Sequence, residues 1–224
     1  MRASGRSTLA MLELRHLRAG YGRAQVLFDL DLELRAGEVV VLAGRNGAGK
    51  STTLKAIMGL VAPSSGEVRF QGRRIDRLEP FEIARLGVGY VPEERRIFAD
   101  LSVAENLEVG RRPPRPGVPA WTMERVFALF PNLAGMRERP GSRMSGGEQK
   151  MLAIARTLMG NPAAILLDEP SEGLAPVVVR QMAEALRSLK ASGLSVLLCE
   201  QNPRFAGELA DRVYRIEKGK VSTE

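Results

Sequence analysis

Gly44-Arg45-Asn46-Gly47-Ala48-Gly49-Lys50-Ser51-Thr52 is the stretch whose reading decides the fold. It fits G-x-x-x-x-G-K-[ST], a pattern in which successive backbone N–H groups converge on phosphate oxygens. The residue types follow from that task. Glycines at 44, 47 and 49 let the backbone curl without Cβ clashes at a helix N-terminus, where partial positive charge is concentrated. Lys50 brings a point charge to the β- and γ-phosphates, and the Ser51 hydroxyl is placed to ligate Mg²⁺. All nine residues, Gly44 to Thr52, are therefore candidate nucleotide contacts. Working outward, Val39-Val40-Val41-Leu42-Ala43 is a continuous apolar run that predicts a buried strand of a parallel sheet. On the other side, Ser51 to Met58 predicts a helix ending at Gly59. Strand, glycine-rich turn and helix disfavour the plainer reading of a βα turn with a surface lysine.

A second buried strand, Ala163-Ala164-Ile165-Leu166-Leu167, delivers Asp168 and Glu169 to its carboxyl end. An acid so placed in a phosphate-loop protein helps hold Mg²⁺, which gives Asp168 a metal role, and Glu169 lies where a general base orients water. An acidic turn closed by Pro170 is the alternative. Ser145-Gly146-Gly147-Glu148 reads as an N-cap serine with a capping-box glutamate, opening a helix through Met159. Two glycines are costly in a first turn and need another reason. Bare backbone at a helix start is a second anion-binding surface, so Ser145, Gly146, Gly147 and Glu148 join the candidate contacts.

The remaining chain supplies the frame. Leu12 to Leu17 and Val26 to Leu34 alternate as half-buried antiparallel strands, separated by a glycine-containing loop with Tyr21. That ring either packs or stacks on a nucleotide base. Glu67 to Phe70 with Gly72 suggests a hairpin, and Val88 to Val91 a strand leading into the charged loop Pro92 to Arg96. Helices are expected from Ser102, over Thr122 to Phe130 and from Pro176, with Arg111 to Pro119 as a surface loop. Leu194 to Cys199 ends in Glu200-Gln201-Asn202, and Arg212 to Ile216 is the last expected strand. The class is α/β: a mainly parallel core, an antiparallel β subdomain, and a helical subdomain inserted over about 72–160. One domain over 11–224 is expected, with 1–10 a disordered polar tail and Met11 an alternative start.

Composition sets bounds. The 224 residues are 44% hydrophobic and 26% charged, ordinary for one globular unit. No apolar run approaches the roughly 20 residues that span a bilayer. The single Cys199 excludes an internal disulfide, suits a reducing compartment and reads as a buried thiol. A net charge of +7 is spread along the chain, so no nucleic-acid partner is expected.

Together, Gly44 to Thr52, Met144 to Gln149 and Ile165 to Glu169 resemble the Walker A, signature and Walker B segments of ATP-binding cassette proteins, the ATPases of ABC transporters, over nearly the whole chain from Met11. The resemblance implies ATP and Mg²⁺ as ligands, Tyr21 on the adenine, Asp168 assisting the metal and Glu169 as catalytic base. It also implies head-to-tail pairing with a second ATPase, the signature of one closing over the nucleotide of the other. Three positions depart from the commonest pattern. Glu93 stands at the Q-loop position, where the metal set would read Ser51, Glu93 and Asp168. Ala175 replaces the D-loop aspartate, and Gln201 replaces the switch histidine among the catalytic residues. The segments Tyr90-Val91-Pro92-Glu93, Gly173-Leu174-Ala175-Pro176 and Glu200-Gln201-Asn202 look like the smaller ATPase of branched-chain amino acid uptake systems, with urea or short-amide uptake a close branch. That branch implies permease subunits as partners, an outside solute-binding protein indirectly, and a cytoplasmic place against the inner face of the membrane. A soluble cassette acting on nucleic acid or the ribosome, and a weakly hydrolysing subunit, are the alternatives.

Overall fold

The computed structural model describes residues 10–116 and 120–223. Six strands form the main sheet in the order β10(Lys220–Thr223), β9(Arg212–Glu217), β3(Val39–Ala43), β8(Ser195–Glu200), β7(Ala164–Asp168) and β6(Val88–Val91). All neighbours are parallel except β10 on β9. A four-stranded antiparallel sheet has the order β2(Ala24–Leu34), β1(Leu12–Tyr21), β4(Pro63–Phe70) and β5(Arg73–Arg74).

The continuous apolar runs of β3, β7 and β8 arise because both faces of the main sheet are covered. Val39, Val41, Ile165, Leu167, Val196 and Leu198 pack toward α3(Val103–Gly110), α6(Gly146–Leu158), α7(Pro176–Ala191) and α8(Pro203–Leu209). The alternate residues Val40, Leu42, Ala164, Leu166, Leu197 and Cys199 share a second cluster with α1(Lys50–Ile57) and the antiparallel sheet. Three layers result, and the carboxyl ends of β3, β7 and β8 meet beside α1. The Cys199 thiol is fully buried, with Sγ against the Lys50 carbonyl at 3.6 Å, and burial raises it well above an ordinary thiol.

Several sequence expectations change at their edges. The helical insertion does not begin near 72: β5 pairs with β4, and β6 pairs with β7 in the main sheet. Helix α2(Pro80–Leu86) went unread although Glu79 and Glu82 form a capping box, Pro80 opens it, and Gly87 closes it with φ 113. Pro131 ends one helix, α4(Met123–Leu129), but also opens the short α5(Pro131–Ala134). Tyr21 is the last residue of β1, paired with Ala24, instead of standing in a longer loop. Strand β10 follows the Gly219 turn beyond the last expected strand. The tail expected over 1–10 falls, but for Ala10, outside the described residues, as does the end of the Arg111–Pro119 loop. Among the described residues no helix is long and apolar enough to cross a membrane.

Candidate functional site

Helix α1 starts with Gly49 in a left-handed conformation, φ 115, and no side chain caps it. Its first N–H groups are left to an external acceptor. Gly47, at φ 77, has open space where a Cβ would stand, whereas a Cβ on Gly44 would meet the Ile216 carbonyl at 2.5 Å. Two glycines of the loop thus answer to backbone geometry and to close packing. The loop faces a cavity of about 500 Å³ lined by Asn46, Gly47, Gly49, Lys50, Ser51, Thr52, Glu93, Glu169 and Glu172, with Val26 on its rim.

Lys50 is 3% exposed and donates to the carbonyls of Gly44 and Arg45 at 2.7 and 3.0 Å. It also forms an ion pair with Glu169 Oε1 at 2.9 Å. The charge expected to meet phosphate is therefore paired with the candidate base. Ser51 Oγ donates to Asp168 Oδ1 at 3.1 Å. Burial pushes the Asp168 carboxyl up to about 6, with Ser51 opposing and the acids Glu169 and Glu93 adding to the rise. Glu172 is also raised, first by its side-chain hydrogen bond with Glu169.

These donors fit a small hard cation. Among the described residues no group of three or more His, Cys, Asp or Glu could hold a metal unaided. A hydroxyl and one carboxylate beside a phosphate loop suit Mg²⁺, which is commonly held by one or two carboxylates plus substrate phosphates. The Tyr90 hydroxyl is buried without a partner, its ionisation disfavoured by burial and then by the Asp168 charge.

Other expected residues fall elsewhere. Tyr21, half exposed, lines a separate hollow with Leu60, Val61 and Ser64. Gln201 is exposed and lines a third cavity with Gly44, Arg45, Ala48 and Asn202, whose lining includes neither Lys50 nor Glu169. Ser145, Gly146, Gly147 and Glu148 do not line the loop cavity. Their capping box is complete, Ser145 N donating to Glu148 Oε2 at 2.7 Å and Glu148 N to Ser145 Oγ at 3.4 Å. One of the two glycines has a reason in packing: a Cβ on Gly147 would meet the branched Val178 side chain of α7 at 2.7 Å, whereas at Gly146 it would meet only the movable Arg95 guanidinium.

Two side chains went unread in the sequence. Glu200, 2% exposed, accepts from the N–H of Ser171 at 3.0 Å, Gln201 at 3.0 Å and Asn202 at 3.1 Å. Lys150, 3% exposed on α6, donates Nζ to the Glu169 carbonyl. A strand-terminal acid beside Gln201 and a lysine on an otherwise apolar helical stripe were the available signals.

Residues 27–172 match the family model described as ABC transporter. The chain is 42% identical over 211 residues to the high-affinity branched-chain amino acid transport ATP-binding protein BraG of Pseudomonas aeruginosa, covering 94% of this chain and 91% of that protein. It is 37% identical to the lipopolysaccharide export system ATP-binding protein LptB of Acidithiobacillus ferridurans, covering 95% and 89%. Its backbone superposes with a TM-score of 0.80 at 25% identity on a dimeric post-hydrolysis state of the ATP-binding cassette MJ0796 bound to ADP and Pi, covering 95% and 97%.

Proposed function

This chain belongs to the ABC transporter family, and on that premise we propose that it is the ATP-hydrolysing subunit of an importer for branched-chain amino acids. The observation that carries the catalytic part is the pair of contacts Lys50–Glu169 and Ser51–Asp168 at the uncapped start of α1. Loop amides and Lys50 bind the triphosphate, Ser51 and Asp168 would hold Mg²⁺, and Glu169 takes the proton of the attacking water once Lys50 has moved to phosphate. Bound Mg²⁺ supplies charge neutralisation at the phosphates. Glu93, exposed, lines the same cavity and would complete the proposed set. Gln201 takes part only if its loop turns inward on closure.

Pairing of two cassettes brings the Ser145–Glu148 helix start over the nucleotide of the partner, and Tyr21 then lies against the adenine. The loop Glu93 to Arg96 is proposed to meet the permease. It is fastened to α6 by Arg95 Nη1 on Gln149 Oε1 at 3.1 Å and by Arg156 Nη2 on the Arg96 carbonyl at 2.5 Å. Motion of that helix would be felt there. The solute is supported by the higher identity to BraG than to LptB.

A second reading, ATPase of a lipid-export system, draws on the likeness to LptB. Purification of the tagged full-length chain from membranes, with identification of attached subunits, separates the two. Permeases of a solute-uptake system and ATP-dependent leucine uptake support the first, and a lipid-export permease overturns it.

A further inference from the structure

We infer that Lys150 and Glu200 are positioning residues for Glu169, bracing the turn that carries it between α6 and the end of β8. This rests on the reading of Glu169 as catalytic base. The turn needs outside support. Glu169 has φ 46, a left-handed conformation that a residue with a Cβ adopts only when its surroundings impose it. The local hydrogen bonds of the turn are long, Glu172 N to the Glu169 carbonyl at 3.3 Å and Leu174 N to the Ser171 carbonyl at 3.4 Å.

Three contacts from elsewhere in the chain fix it. Glu169 N donates to the Cys199 carbonyl of β8 at 3.0 Å. The Glu169 carbonyl accepts from Lys150 Nζ. Ser171 N donates to Glu200 Oε1 at 3.0 Å, while Glu200 Oε2 accepts from Gln201 N and Asn202 N. Lys150, Glu169, Ser171 and Glu200 are all buried, so these bonds are not shared with solvent. With the Glu169 N–H and carbonyl and the Ser171 N–H all held, and Pro170 fixing φ between them, the backbone presents the Glu169 side chain to Lys50.

The arrangement also joins three segments that the proposed reaction uses. Lys150 lies five residues after Ser145 on the helix whose start is the candidate second phosphate receptor, and Glu200 precedes Gln201. A shift of α6 on pairing reaches the Glu169 backbone through one side chain. Neither residue touches substrate.

The test compares full-length wild type with Lys150→Met, which lacks the donor, Lys150→Gln, which retains one, and Glu200→Gln. Single-turnover hydrolysis of MgATP should slow about 10- to 100-fold in Lys150→Met. Affinity for a fluorescent ATP analogue should move less than about threefold, and Lys150→Gln should recover most of the rate. Amide hydrogen exchange in nucleotide-free protein should quicken at least about tenfold over residues 168–174 in Lys150→Met and Glu200→Gln, and stay unchanged over α3. Wild-type hydrolysis or unchanged exchange in Lys150→Met overturns the proposal. So does equal loss in Lys150→Met and Lys150→Gln with falling thermal stability, which marks a purely structural lysine. If wild type itself fails to hydrolyse ATP, the reading of Glu169 falls, and the exchange measurement still decides the brace.

Discussion

Strands β7 and β8 lie side by side and are buried throughout; a glutamate stands just beyond the first and another ends the second, yet the two do opposite things. Beyond β7, Glu169 sends its carboxylate outward to Lys50 in the loop cavity. At the end of β8, Glu200 turns its carboxylate back onto three backbone N–H groups. In the proposed reaction the first charge is exchangeable, because phosphate would take Lys50 from it. The other is consumed in holding the chain. An acid at a strand terminus is thus not by itself a reactive group, and the partner it faces decides.

The largest effect should come from the exchangeable acid. Glu169→Gln keeps an acceptor for Lys50 but no base, so turnover should fall about 1000-fold while ATP is still bound. Normal hydrolysis in that variant would erase the distinction between the two strand ends. Glu200→Ala should act on stability instead. Three buried N–H groups lose a charged acceptor, and about 3 kcal/mol should be lost in urea unfolding. A loss below about 1 kcal/mol would show that water replaces the carboxylate freely.

Asp168 sharpens the contrast through pH. Its carboxyl is raised from 3.8 to about 6 by burial, so between those values the folded chain holds a proton that the unfolded chain releases. Stability must then fall as pH rises through the window, by up to about 3 kcal/mol before Mg²⁺ is added. Asp168→Asn should be more stable than wild type at pH 8 and equal to it below pH 4. A pH-independent difference would contradict the burial argument. The smallest effect is expected from Gln201→Ala, since the side chain is exposed and outside the loop cavity, with hydrolysis within about threefold of wild type. A large loss would mean that the loop after β8 turns inward during the reaction.

What was legible in the sequence was what local spacing dictates. Gly44 to Thr52 must curl between a strand and a helix, and Ser145 with Glu148 must cap, because those bonds close within a few residues. The two-faced burial of β3, β7 and β8 shows as uninterrupted apolar runs. Destinations across the chain were not legible. Nothing near Gly147 in sequence shows that a Cβ there would also meet Val178, 31 positions away. Gln201 gave no sign that Glu200, its neighbour in sequence, holds its backbone N–H. The start of the helical insertion was misplaced because β6 is short and its hydrogen bonds go to β7, more than 70 residues later. Lys150 on an apolar stripe gave no hint of the carbonyl it meets.

The burial of Cys199 beneath α1 has a practical consequence. As the sole sulfhydryl of the chain, it reacts with a small alkylating reagent only when the layers separate. Unmodified protein therefore carries its own clock for opening of the nucleotide-side core, and ligands that hold that core shut should be read directly as slower alkylation.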